Sequence, residues 1–294
     1  MNRRNLLILG YGEMGHAMEY LLHERHDLNF WALELDTDLE RLAREAEIVL
    51  FCLPVNPHAE VLARIRPLLR PDSLCLSIAK GLDEQGRSAA QIFAEALPDT
   101  AYALLYGPMI SEEIRAGRPA FGQVGSPHEA VYRRVRDLYR GSRLYLQHST
   151  DIPGISWSVI LKNVYAMAFG MADELRLGDN MRGYLAVAAL HELDRIAESM
   201  GGQPRSPFHL AGLGDLITTA TSEDSHHHEL GRRLARGETE GIEGEGVHTL
   251  RMVERHRLFD TRPYPLFRLI GELVENPQQV EQRLLRHIER VFGD

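Results

Sequence analysis

The sequence has 294 residues, of which 44% are hydrophobic and 26% are charged, and its formal net charge is −9 at pH 7. This length suits two domains or one large one. The acidic balance and the lack of a long Lys/Arg block argue against a nucleic-acid partner and a membrane-surface partner. The sequence contains no run of about 18 apolar residues, so it predicts no membrane span. Cys52 and Cys75 lie in apolar runs, so we expect buried free thiols and a cytoplasmic, reducing location.

Short apolar runs alternate with helical patterns in the first half of the chain. They predict strands at 5–9, 28–34, 48–53, 73–79 and 102–106, and helices at 14–25 and 58–69. Nearly continuous apolar strands that alternate with helices indicate a parallel sheet covered on both faces. We therefore expect an α/β domain over residues 1–150.

Helical spacing dominates from Ile155 onward. The longest predicted helices are 156–175 and 180–200. A polar stretch at 149–154, broken by a proline and a glycine, separates this part from the first half. The sequence therefore predicts an all-helical domain over residues 151–294.

The first predicted strand ends in GYGEMG, which contains Gly10, Gly12 and Gly15. Because this loop follows a strand and opens a helix, we expect a dinucleotide site there, although a glycine-rich turn in another α/β protein is the alternative. Gly10 would form the tight turn, and Gly12 would let a pyrophosphate approach the backbone. Gly15 would let the helix and the strand pack closely. Glu34, at the predicted end of the second strand, would bind the ribose hydroxyls and repel a 2′-phosphate. This favours NAD, with NADP as the alternative cofactor.

Two lysines and one aspartate are candidate catalytic residues. Lys80 closes a predicted strand, where side chains face the ligand crevice, although a surface lysine is the alternative. Lys162 interrupts the apolar run VILKNVYAMAFGM, so it either reaches the surface or is buried for proton transfer. Asp215, in AGLGDLITTAT, is a candidate partner for it. Alternatively, Asp215, Thr218 and Thr219 begin a helix with hydroxyl caps.

Three consecutive histidines, His226, His227 and His228, stand within SHHH at 225–228. Adjacent side chains point in different directions on a helix or a strand, so three in a row rarely converge on one metal ion. No cysteine pair or second ligand motif accompanies them. We therefore predict no metal here, and an anion site or a solvated loop are the remaining interpretations.

Several motifs together resemble the NAD-dependent glycerol-3-phosphate dehydrogenase family, in the family's order and over most of the chain. They are GYGEMG (10–15), AKGLDEQG (79–86), YGPMISEEI (106–114), LKNVYAMAFGMADELRLGDN (161–180), GLGDLITT (212–219) and EGEGV (243–247). The resemblance implies a Rossmann domain followed by an all-α domain similar to that of 6-phosphogluconate dehydrogenase. It also implies a small hydroxy or carbonyl substrate, most directly sn-glycerol 3-phosphate and dihydroxyacetone phosphate, and a homodimer.

The resemblance assigns roles by position. Lys162 would exchange a proton with the substrate oxygen, Asp215 would pair with Lys162, and Lys80 would polarise the carbonyl. Asn163 and Thr219 would hydrogen-bond the substrate. The implied cofactor contacts are Gly10, Gly12, Glu13, Met14, Gly15, Glu34, Pro54, Lys80 and Glu245.

One segment departs from the family pattern. The family has Ser-Arg-Asn, which holds the substrate phosphate, where this chain has Ser225-His226-His227. A titrating group thus replaces a permanently charged one, and Arg232 and Arg233 follow as candidate substitutes. Three hypotheses follow: a glycerol-3-phosphate dehydrogenase, a dehydrogenase of the same family with a different small hydroxy substrate, or a non-catalytic dinucleotide-sensing protein.

Overall fold

The computed structural model describes residues 3–222 and 225–293. The chain divides between Ile152 and Pro153 into two units. Within the described residues the first unit combines strands with helices, and the second is helical.

One sheet forms the centre of the first unit. Its strands are β1 (Asn5–Leu9), β2 (Asp27–Trp31), β3 (Ile48–Phe51), β4 (Leu74–Ser77), β5 (Ala101–Tyr106), β6 (Ala120–Gly125) and β7 (Leu144–Ser149). They lie in the order β2-β1-β3-β4-β5-β6-β7. The five predicted strands, β1 to β5, pair in parallel, as expected. The one antiparallel pair in the sheet is β5 with β6, a strand that the sequence did not predict, and β6 pairs with β7 in parallel.

The helices of this unit cover the sheet. They are α1 (Glu13–Leu22), α2 (Leu39–Glu45), α3 (His58–Ile65), α4 (Ala89–Ala96), α5 (Ser111–Arg115) and α6 (Glu129–Leu138). α1 buries Ala17, Met18 and Leu21 at helical spacing against the sheet. Ser88 and Gln91 form a capping box that begins α4.

Three predicted strands extend too far: β3 ends at Phe51 rather than at residue 53, and β2 and β4 also end early. β2 ends at Trp31 because its partner β1 ends at Leu9, so Glu34 lies three residues beyond the strand in an exposed turn. β4 ends at Ser77, opposite the last residue of β3, so Lys80 follows the strand at the same separation. Both residues remain beyond the carboxyl ends of parallel strands, where α/β proteins bind ligands.

The second unit is built around one long buried helix. Its helices are α7 (Ile152–Glu174), α8 (Gly178–Ser199), α9 (Asp215–Thr221), α10 (His226–Ala235), α11 (Glu245–His256), α12 (Pro265–Glu275) and α13 (Val280–Phe292). The two longest predicted helices are confirmed to within a few residues. α7 is the one described helix with the length and mean hydropathy of a membrane span, but its apolar window is entirely buried, as in the core helix of a folded domain.

Candidate functional site

Lys162 lies in the middle of α7 and is only 5% exposed. Its Nζ donates a hydrogen bond of 2.5 Å to Thr219 Oγ1 and lies 3.4 Å from Asp215 Oδ1. Asp215 is also buried. The sequence left open whether Lys162 reaches the surface, and the structure places it in a buried ion pair. We call Lys162, Asp215 and Thr219 the lysine cluster.

The start of α9 shapes this cluster. A π-helical turn at Leu210–Gly214 leads into the helix, which begins at Asp215. The Thr219 hydroxyl donates to the Asp215 carbonyl oxygen, and the Thr218 hydroxyl donates to that of Gly214. The alternative is therefore confirmed in that Asp215 begins a helix, and wrong in that the threonine hydroxyls bond back four residues and do not cap it. Because the Thr219 proton is committed, its oxygen is left to accept from Lys162.

The arrangement suits proton transfer. A buried ammonium group is costly unless a carboxylate and hydrogen-bond acceptors compensate its charge. Asp215 and Thr219 supply both for Lys162. The lysine cluster can therefore hold a charged proton donor at a fixed position inside an apolar helix.

His226 and His227, which we call the histidine pair, both bond to one neighbouring segment. The Nε2 atom of His226 donates to the carbonyl oxygen of Glu243 at 2.8 Å, and the Nε2 atom of His227 accepts from the backbone N–H of Gly246 at 3.2 Å. An imidazole nitrogen that accepts a hydrogen bond carries no proton, so His227 is neutral in this arrangement. Both rings therefore hydrogen-bond the backbone around the N-terminus of α11.

This segment also touches Asn163, the buried neighbour of Lys162. A Cβ atom at Gly246 would lie only 2.7 Å from the carbonyl oxygen of Asn163, so the two backbones are in close contact. Glu245, the first residue of α11, is half-buried, and burial raises the pKa of its carboxyl to about 7. The histidine pair, Asn163 and the segment that carries Glu245 thus form one contiguous region.

The third histidine has a different partner. His228 is buried, and its Nε2 lies 2.8 Å from Asp173 Oδ2. The other oxygen of this carboxylate, Oδ1, pairs with Arg182. Across residues 3–222 and 225–293 no group of three His, Cys, Asp or Glu side chains could hold a metal ion. The three histidines therefore diverge onto separate contacts.

The two candidate arginines, Arg232 and Arg233, differ in their contacts. Arg233 donates to Glu238 at 2.6 Å and to the carbonyl oxygens of Glu240 and Gly241. It is therefore committed to the turn after α10. The Nε atom of Arg232 is buried without a hydrogen-bond partner among the described residues.

In the first unit, the glycine loop has the geometry of a phosphate-binding turn. Gly10 has a φ of +97°, which favours glycine, and a Cβ at Gly15 would lie 2.4 Å from the Gly10 carbonyl oxygen. A Cβ at Gly12 would meet no described atom within 4 Å, so the backbone there is open to a ligand. No side chain of the described residues caps the N-terminus of α1. These features fit the pyrophosphate of a dinucleotide.

The remaining predicted cofactor residues lie in the same unit, apart from Glu245. Glu13 begins α1 and pairs with Arg115 at 2.5 Å, and Met14 packs against the core of the sheet. Lys80 Nζ donates to the carbonyl oxygen of Gly107 at 3.1 Å, just after β5. Lys80 thus belongs to the first unit, whereas the lysine cluster belongs to the second.

Sequence reasoning missed one residue at this edge of the sheet, His58. It is fully buried at the start of α3, where its Nδ1 donates to the Pro54 carbonyl oxygen and its Nε2 accepts from the Ser77 hydroxyl, both at 2.9 Å. Burial lowers the pKa of His58 to about 4, so it is neutral at pH 7. His58 therefore joins the predicted cofactor residue Pro54 to the end of β4. The only sequence signal was a histidine beside a turn proline.

Comparison with known proteins identifies the family. The model for the NAD-dependent glycerol-3-phosphate dehydrogenase N-terminus matches residues 31–131, and that for its C-terminus matches 151–284. A glycerol-3-phosphate dehydrogenase [NAD(P)+] from Synechococcus sp. (strain JA-3-3Ab) is 31% identical over 98% of this chain and 96% of its own length. The chain belongs to the NAD-dependent glycerol-3-phosphate dehydrogenase family. A Synechocystis sp. enzyme of the same name is 28% identical over 98% of this chain and 96% of its own length.

The fold of this family member also matches solved structures. The crystal structure of a glycerol-3-phosphate dehydrogenase from Coxiella burnetii superposes with a TM-score of 0.85 and 24% identity, covering 96% of this chain and 99% of that one. The predicted Rossmann domain followed by a helical domain is thereby confirmed. The glycine loop lies outside the two matched ranges, so its assignment rests on its own geometry.

Proposed function

We propose that the chain interconverts sn-glycerol 3-phosphate and dihydroxyacetone phosphate, with NAD as the preferred cofactor and NADP as the alternative. The observation that carries this proposal is the lysine cluster, a buried proton donor at the family's LKN motif. The curated relatives are named for this activity with NAD(P)+. A non-catalytic dinucleotide sensor would have no use for a buried lysine held by a carboxylate, which disfavours that hypothesis.

The residues of the lysine cluster would manage one proton. Nicotinamide supplies or accepts the hydride when it is bound. In the reducing direction Lys162 Nζ donates a proton to the carbonyl oxygen, so that hydride and proton together convert C=O into CH–OH. In the oxidising direction Nζ takes the proton back from the hydroxyl. Asp215 stabilises the charged lysine, and Thr219 fixes the direction of the ammonium group and hydrogen-bonds substrate.

Other residues would position the reactants. We assign Lys80 to electrostatic stabilisation of the substrate oxygen and Asn163 to substrate hydrogen bonding. We assign His226 and His227 to the substrate phosphate, because they occupy the sequence positions of the family's Arg and Asn. The proposed cofactor contacts remain Gly10, Gly12, Glu13, Met14, Gly15, Glu34, Pro54, Lys80 and Glu245.

A second candidate is a dehydrogenase of the same family with a different small hydroxy substrate. The histidine pair favours it, because both Nε2 atoms bond to the segment Glu243–Gly246 and His227 is neutral. A neutral imidazole grips a phosphate dianion less strongly than an arginine. Phosphate recognition is therefore the part of the site that differs most from the family.

Steady-state kinetics tests the two candidates. NADH oxidation would be followed with dihydroxyacetone phosphate and, separately, with unphosphorylated hydroxycarbonyl compounds. The first candidate predicts turnover of about 1 per second or more with dihydroxyacetone phosphate. No measurable rate at millimolar dihydroxyacetone phosphate, with turnover of another compound, would establish the second instead.

We also propose a cytoplasmic homodimer. Both cysteines are free thiols, with Cys75 buried and Cys52 partly buried, which suits a reducing compartment. The dimer follows from family resemblance. Light scattering coupled to size-exclusion chromatography tests it, and a mass of 33.3 kDa rather than twice that value would contradict it.

A further inference from the structure

A groove between α12 and α13 carries an unusual concentration of arginine. It encloses about 410 Å³. Its charged and titratable lining consists of Arg268, Arg283, Arg286, Arg290, His287 and Glu272. Four guanidinium groups thus face one carboxylate in a chain whose formal net charge is −9.

The carboxylate is already shared between two arginines. Glu272 accepts from Arg283 at 2.8 Å and lies 3.8 Å from Arg268. Among residues 3–222 and 225–293, Arg286 and Arg290 take part in no ion pair and no hydrogen bond of their side chains. The groove therefore holds two positive charges that the described protein does not balance.

The spacing of these arginines concentrates the charge. Arg283, Arg286 and Arg290 lie three and four residues apart, which places them on one face of α13. Like charges at this spacing repel one another and destabilise the helix. A bound anion would remove this repulsion, which gives the arrangement a physical purpose that a solvated helix face lacks.

The floor of the groove is ordered. His287 is buried, and its Nε2 lies 2.9 Å from the Tyr184 hydroxyl of α8. Burial, followed by the charge of Arg290, lowers the pKa of His287. Arg290 therefore lies close enough to the imidazole of His287 to act on it.

We propose that this groove binds a multiply charged phosphate anion. Arginine presents paired N–H donors that match phosphate oxygens, and the surplus of three positive charges over the one carboxylate favours a ligand with at least two negative charges. The volume lies within the range of about 300 to 1,000 Å³ that is usual for small-molecule sites. The ligand is either a soluble phosphorylated metabolite or the headgroup of an anionic lipid.

The groove is separate from the residues of the proposed reaction. It is lined by residues of α12 and α13, whereas the lysine cluster lies on α7 and α9 and the histidine pair on α10. Anion binding in this groove can therefore be tested separately from the proposed function, because it depends on different residues.

Calorimetric titration of the full chain with sodium pyrophosphate tests the site. Saturating NADH occupies the proposed cofactor site, and ionic strength is held constant because exposed charges are screened by salt. The variant Arg286→Gln/Arg290→Gln removes the two unbalanced charges. The matched control Arg44→Gln/Arg66→Gln removes two exposed arginines of the first unit, for which the described residues show no ion pair. We expect about tenfold weaker binding in the first variant and unchanged affinity in the control.

A second arm distinguishes the two sources of phosphate. Sedimentation with vesicles of phosphatidylcholine alone and of phosphatidylcholine with phosphatidylglycerol measures headgroup binding. Binding of either pyrophosphate or the anionic vesicles supports the site if it depends on Arg286 and Arg290, and hydrogen exchange should then show protection in 265–275 and 280–292. Binding of neither probe, or equal binding by both double variants, overturns it.

Discussion

The lysine cluster and the histidine pair lie in the same helical unit but are built in opposite ways. The cluster is buried, and the side chains of Asp215 and Thr219 hold Lys162 directly. His226 is exposed and His227 half-buried, and backbone groups of a neighbouring segment hold their rings. The part of the site proposed for proton transfer is therefore fixed by side chains, whereas the part proposed for phosphate recognition is coupled to a loop.

This difference separates reaction from recognition. A proton donor must sit at a fixed place with a fixed charge, which burial and a carboxylate provide. An anion contact needs only positive charge near the ligand, and histidine supplies that charge when protonated. A chain can therefore keep the proton donor while its anion contact changes, and substitutions at the two places should have separable effects.

The largest effect is expected for Lys162→Met, which removes the proposed proton donor. Turnover should fall about 10²- to 10⁴-fold, while NADH affinity stays nearly unchanged. Steady-state kinetics and NADH titration measure the two. Lys162→Met leaves the buried Asp215 carboxylate without its ion-pair partner, so the double variant Lys162→Met/Asp215→Asn, which also removes that charge, is the control. If either folded variant retained wild-type turnover, Lys162 would not be the proton donor.

The buried histidine His58 contrasts with the exposed His226. Its pKa of about 4 lies below the ordinary value near 6.5, so its contribution to stability is present above pH 6.5 and is lost as the pH falls toward 4. Wild type should lose roughly 2 kcal/mol from this group between pH 7 and pH 5. His58→Gln, which can keep both hydrogen bonds without titrating, should lack that loss. Urea unfolding at both pH values measures it, and equal pH dependence in the two proteins would refute the assignment.

The histidine pair can be converted to the family's residues by His226→Arg/His227→Asn. A permanent charge should strengthen phosphate recognition and lower KM for dihydroxyacetone phosphate about tenfold, with kcat little changed. His226→Gln/His227→Asn, which adds no charge, is the matched control. A change in kcat as large as that in KM would show that the pair is not separable from the chemistry.

The smallest effect is expected for Glu34→Ala. Glu34 lies in an exposed turn beyond β2, so its contact with ribose would be partly solvated. NAD affinity should weaken about threefold, as for a single exposed hydrogen bond, and NADP affinity should stay unchanged or rise because the repulsion of the 2′-phosphate is removed. Titration with both reduced cofactors measures the ratio. Equal weakening of both would mean that Glu34 does not distinguish them.

Much of this architecture was visible in local patterns. Continuous apolar runs predicted five strands, and GYGEMG predicted the turn whose glycine geometry the structure shows. β6 and β7 were missed because AFGQVG and LYLQHS mix glycine and polar residues with apolar ones, as befits strands near a sheet edge. Strand ends were misplaced because the partner strand determines where a ladder stops.

The site was predictable in part. An isolated lysine in an apolar run marked Lys162, but its contact with Thr219 joins residues 57 positions apart. The partners of the histidine pair lie 17 and 19 residues away, on a segment whose approach no local pattern reveals. Residue types predicted the chemistry, and only the fold showed which groups are already committed to other contacts.

The selectivity of the wild-type chain is the decisive measurement for the proposal that it acts on glycerol 3-phosphate. The values of kcat/KM with NADH would be compared for dihydroxyacetone phosphate and dihydroxyacetone at pH 7. We expect at least about a tenfold preference for the phosphorylated compound, the equivalent of one retained charge contact. An equal or higher value for dihydroxyacetone would contradict the proposal that this chain acts on glycerol 3-phosphate.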